Sequence, residues 1–126
     1  MKRIRSLVFC QRGATIIEFA FGLTAFLMLI FGIINISRVL WTLGSLHYAA
    51  ESAARCASVN STACGTASLA QAYALQQYNG ESLSSNPFTY SATGCGNTVT
   101  ANYTYSLSIP LAGTWSLPLS ATACFP

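Results

Sequence analysis

Arg12-Gly13-Ala14-Thr15-Ile16-Ile17-Glu18-Phe19 opens an apolar run. From Ala14 to Ile34 there are 21 residues, and Glu18 is the only charged one. As a helix at ~1.5 Å per residue the run spans roughly 30 Å, the thickness of a bilayer's hydrocarbon core. The run therefore reads as a transmembrane helix over 14–34. Glu18 is its odd member. A carboxylate at the centre of a span costs about 2.5–3.5 kcal/mol to insert, so such residues usually carry function. The plainer reading is a tolerated acid near the interface. A glycine five residues earlier and a basic leader flank Glu18 too specifically for that.

Residues 1–13 form the leader, with Leu7, Val8 and Phe9 its only apolar cluster. Lys2, Arg3, Arg5 and Arg12 all fall within it. The formal net charge of +3 is therefore a leader property. Beyond Gly13, Arg38 and Arg55 face Glu18, Glu51 and Glu81, a net of −1. No basic patch for nucleic acid remains. Four basic residues before the span, against Arg38 just after it, predict a cytoplasmic N-terminus. Everything from about residue 36 then lies in the periplasm or beyond. A signal peptide would be cut after its apolar region, at small residues. Asn35-Ile36-Ser37-Arg38 follows the span here and offers no such site. Cleavage before the span fits better, and the span is retained; an uncleaved anchor is the alternative.

The helix continues past the membrane. Ile36, Leu40, Leu43, Leu46, Ala50, Ala53 and Ala57 follow at helical steps, with Arg38, Thr42, Ser45, Ser52 and Arg55 on another face. No proline occurs before Pro87, Gly44 alone weakens the segment, and Glu51 stands four before Arg55. One helix is expected over 14–57, roughly 65 Å long. Its second half is amphipathic and needs something to pack on. Residues 58–126 read as a small α+β domain. Val59–Gly65 is a loop. Thr66 or Ser68 caps a second helix through about Tyr78, ended by Asn79-Gly80. Phe88, Tyr90, Val99, Ala101, Tyr103, Tyr105 and Leu107 then alternate with polar residues about Gly94-Cys95-Gly96-Asn97. That is a hairpin with one apolar-aromatic face, expected to pack on the long helix. Pro110–Trp115 reads as a loop, and Leu117–Phe125 as a third antiparallel strand. Pro118 confines that strand to an edge or a late start.

Of five cysteines, Cys10 lies in the leader. Cys56, Cys64, Cys95 and Cys124 fall on the translocated side, where an even number in an oxidising compartment reads as a disulfide framework. Three pairings are open. Cys56–Cys64 with Cys95–Cys124 is favoured, because the first closes a short loop at a helix end. The competing zinc reading is weak: there is no C-x-x-C, and His47 is isolated. Charged residues are only 7 % of the chain, where about 25 % is usual. Past residue 55 Glu81 is the one charge, and there is no histidine. A hydroxyl without a base is inert, so no catalytic chemistry is expected. No phosphate-cradling glycine motif is present either. The chain reads as a structural part, with no metal, cofactor or small-molecule substrate.

The residues at Gly13 resemble the processing site of Flp-type (Tad) pilins and pseudopilins. That pattern is a short basic leader, a glycine, four residues, then Glu and an aromatic. Here Gly13 ends the leader, Ala14 begins the mature chain, and Glu18 and Phe19 are its fifth and sixth residues. Phe31–Trp41, His47–Ala57 and the ending Leu119–Pro126 are similar to TadE-like pseudopilins. The resemblance implies cleavage between Gly13 and Ala14 by a membrane prepilin peptidase. It implies a minor pseudopilin of the Flp (Tad) type IVb pilus, acting in pilus assembly, adhesion and biofilm formation. Its partners are then the inner membrane, the peptidase and other pilins and pseudopilins of the Tad machinery. The C-terminal domain is then periplasmic, reaching the pilus or cell surface after assembly. Two rivals stand. One is an uncleaved, membrane-anchored periplasmic binding module. The other is a type II secretion pseudopilin, which would carry Phe, not Ala14, as its first mature residue.

Overall fold

A computed structural model describes residues 14–109 and 113–126. The leader, with Gly13, lies outside them. In order come α1 (Ala14–Val59), α2 (Ser61–Cys64), α3 (Ala67–Gln77), β1 (Phe88–Thr93), β2 (Gly96–Ile109) and β3 (Gly113–Phe125). The class is α+β. The chain divides into two units, Met1–Ile36 and Ser37–Pro126.

In the first unit the described chain is helix alone. A predominantly apolar run without proline gives nothing to stop it. Every residue from Thr15 to Leu29 is exposed, so the unit has no core of its own. Its polar side chains bond to the helix itself. The Thr24 hydroxyl donates to the Ala20 carbonyl at 2.8 Å, and the Asn35 amide to the Phe31 carbonyl at 2.9 Å. Such back-bonding lets polar side chains sit in hydrocarbon without stranding a donor.

The second unit has the core. From α1 it takes Leu46, Ala49, Ala50, Ala53 and Ala54, a stripe at helical spacing that is fully buried. Ala74 of α3 joins them. The sheet is an antiparallel meander in the order β1-β2-β3. Its inner face brings Phe88, Val99, Ala101, Tyr105, Leu119, Ala121 and Ala123 to the same cluster. Phe88 stands opposite Ala101, Ala101 opposite Ala121, and Val99 opposite Ala123. The expected packing of the hairpin's apolar face on the long helix is what forms. The outer face carries Thr89, Thr100 and Thr122 in one row across the three strands. Thr89 donates to the Thr100 carbonyl at 3.1 Å, and the Thr122 and Thr100 hydroxyls lie 3.4 Å apart.

Three details differ from the sequence reading. The Val59–Gly65 loop contains a turn of helix, α2. The Asn60 side chain caps it by accepting from the Ala63 amide at 3.1 Å. On α1, Thr42 is buried and Leu40 exposed, the reverse of their expected faces, while the second helix begins at Ala67 with Thr66, one of the two expected caps, accepting from Leu69 at 3.4 Å. The third strand starts at Gly113, so Gly113–Trp115 pair with β2 instead of looping. Trp115 faces Leu107 there, and a two-residue alternation was hidden by the glycine and proline around it. Pro118 sits within β3, which is an edge strand, as its missing donor requires.

Candidate functional site in the apolar helix

Ala14 is the first residue of α1, and Glu18 and Phe19 follow one turn later. Glu18 is exposed on a helix whose neighbours Ile16, Ile17, Phe19 and Phe21 are exposed as well. A carboxylate on such a rod has apolar surface all around it. Outside water, an unpaired carboxylate there is costly, and a cation from another group or chain would offset that cost. Gly13, the proposed last leader residue, lies outside the described residues. Among the described residues one helix is long and apolar enough to cross a membrane. It suits a single-pass anchor.

The second unit is stapled twice. Cys56 and Cys64 are bridged, Cα to Cα 5.7 Å, tying the end of α1 to α2. Cys95 and Cys124 are bridged, Cα to Cα 6.4 Å, tying the β1–β2 turn to the end of β3. Gly96 sits in that turn at φ +126°, and a Cβ there would strike the Phe125 carbonyl. Only glycine fits. Among the described residues no group of three or more His, Cys, Asp or Glu is placed to hold a metal ion.

A polar knot at the near end of this unit was not legible from sequence. The Trp41 indole donates to the Asn79 carbonyl at 3.0 Å, and the Asn79 amide donates to the Ser45 hydroxyl at 2.7 Å. Asn79-Gly80 reads in the sequence only as a helix stop; nothing announces that it docks back on α1. With Leu40, Gly44 and Tyr48 these residues line a shallow pocket of about 290 Å³. Beside it the Tyr78 hydroxyl is buried with no hydrogen-bond partner among the described residues. Burial pushes its pKa up from 10.0 to about 12, helped by Tyr103, Glu81 and Tyr105. Thr42, itself buried, opposes the shift from alongside but lacks the geometry of a full hydrogen bond.

Residues 13–55 match the model of the TadE-like protein family. Over this stretch the chain is similar to TadE-like proteins. The matched stretch starts at Gly13 and ends four residues before α1 does. It covers the Glu18 segment and most of the buried alanine stripe. The TadE-like match associates the chain with the Tad pilus system and with a membrane. No curated protein and no solved structure matches the chain.

Proposed function

We propose that this TadE-like chain is a minor pseudopilin, a structural component in the assembly of Flp (Tad) type IVb pili. It is a substrate of enzymes and not itself one. A prepilin peptidase cuts between Gly13 and Ala14, removing four positive charges and exposing the Ala14 ammonium, mostly protonated at neutral pH. That ammonium lies one turn from Glu18 and also reaches Glu18 of a neighbouring subunit. The apolar helix then leaves the inner membrane and bundles with others, with Glu18 setting the register. The stapled unit is periplasmic until assembly carries it to the surface, where it serves adhesion and biofilm formation.

The observation that carries this reading is Glu18, exposed at the fifth position of a helix that is bare from Thr15 to Leu29. A permanent lipid anchor has no use for a carboxylate there. The mass of the mature protein tests it. Loss of residues 1–13 is expected, and a Gly13→Leu variant should remain full length, because the peptidase must admit a backbone without a Cβ. A wild-type chain that keeps its leader would establish the uncleaved anchor instead.

A further inference from the structure

Within the unit Ser37–Pro126, burial fades at one end on two elements. On α1 the first buried position is Thr42; before it Val39 is half-buried, and Leu40 and Trp41 are exposed, Trp41 by 68 %. On the hairpin the buried positions stop at Tyr105 and Leu119. Past them Leu107 is half-buried, and Ile109, Leu117 and Trp115 are exposed, Trp115 by 65 %. Leu46 of α1 shares one buried cluster with Tyr105 and Leu119 of the hairpin, and Val39, Leu43 and Leu107 pack against it. The Thr42 end of the helix therefore faces the Tyr105 end of the hairpin. β1 pairs with β2 only as far as Ala101, so beyond it the hairpin is a two-stranded ribbon.

This is also the end at which the unit receives the chain from the apolar segment, since α1 is continuous through Ile36 and Ser37. We propose that Ile109, Trp115 and Leu117, with Leu40 and Trp41, form a second lipid-contacting patch that seats at the headgroup level of the bilayer. The proposal rests on reading α1 as a membrane anchor. Both tryptophans of the chain lie in the patch. Tryptophan collects at membrane interfaces because its body is apolar and its edge polar. The Trp41 donor is already satisfied by Asn79, which frees the ring for acyl chains. The three strands hold no charged residue, so seating the ribbon desolvates no ion. Arg38, exposed just before the patch, supplies a cation for lipid phosphate. The patch would hold the folded unit against the bilayer before assembly and be given up when the subunit leaves it.

The test uses the full chain in phosphatidylcholine vesicles. Trp41→Phe leaves Trp115 as the sole tryptophan, and Trp115→Phe leaves Trp41. Each should show blue-shifted emission, lose at least half of it to lipids brominated near the headgroup, and lose little to iodide. The unmutated chain is the second measurement and should be quenched to the same degree. Emission that iodide quenches and bromolipid does not would overturn the proposal. Shielding from both quenchers would overturn it too and point to a second copy of the chain. Failure of the chain to float with the vesicles would instead overturn the anchor reading itself.

Discussion

α1 is one helix with two halves that solve opposite problems. From Thr15 to Leu29 every residue is exposed, and the apolar side chains cover the whole circumference. From Thr42 to Ala57 the apolar residues make a stripe of alanines, and the stripe is buried against the chain's own sheet. A helix apolar all round must find its solvent in lipid or in other helices, whereas a striped one needs a single partner face. The first half is thus finished only by its surroundings, and the second half by its own sequence. The two halves of α1 therefore meet different requirements, one from outside the chain and one from within it.

Five variants bear on this division. The largest effect should come from Glu18→Gln. It keeps the side chain's size and removes its charge, so cleavage after Gly13 should persist while pili are lost, as counted by shearing and electron microscopy. The Ala14 ammonium would then lack its partner in an apolar bundle. Membrane insertion should not suffer, since a neutral amide is no harder to bury than a carboxylate. Wild-type piliation would falsify any essential role for the charge, and an uncut precursor would move Glu18 to peptidase recognition.

Next comes removal of the bridge between Cys95 and Cys124 by alanine at both. The folded unit should lose about 2–4 kcal/mol in denaturant unfolding, with the apolar helix still inserted. Unchanged stability would mean the sheet's end holds without a staple. Ala50→Leu sharpens the comparison from inside the stripe. Overpacking should cost about 1–3 kcal/mol. The same change at Ala20, on the bare half, should leave the unfolding midpoint where it was. Equal effects at both sites would erase the distinction. The smallest effect belongs to Thr66→Ala, which removes the α3 cap and should cost about 1 kcal/mol. It should be read as a small drop in melting temperature with piliation retained.

The two halves also differ in how far sequence reveals them. The bare half is legible from composition alone: 21 residues, one charge, and a length that matches a bilayer. The striped half is legible from period at Leu46, Ala50, Ala53 and Ala57, but not at Leu40, which is exposed, or Thr42, which is buried; the sheet's alternations at Phe88, Val99, Ala101 and Tyr105 are legible too. What escaped reading was set by contacts distant in sequence. Asn79 is tied to Trp41 and Ser45 across more than thirty residues, and no local pattern encodes that. The start of β3 was hidden because Gly113 and Pro118 read locally as turn residues. Thirteen backbone pairings with β2 outweigh that local preference. Glu18 was legible as an anomaly, because one charge in an apolar run is conspicuous. Its partner under the proposed cleavage, the Ala14 ammonium, would appear only once the leader is removed.

The positions of the two bridges set a timetable for oxidation. Cys56 and Cys64 are 8 residues apart, while Cys95 and Cys124 are separated by 29. Under the proposed orientation, with the N-terminus kept in the cytoplasm and the residues after the span delivered in order, the first pair is presented while the sheet is still unmade. The second pair cannot close until all three strands have been delivered, because Cys124 is near the end of β3. The first bridge can therefore act as an early clamp, fixing where α1 ends before its alanine stripe has anything to pack on. The second acts as a latch, closing only on a completed meander. An oxidase arriving early would find two thiols and one sensible partner for each, which keeps the four cysteines from mispairing.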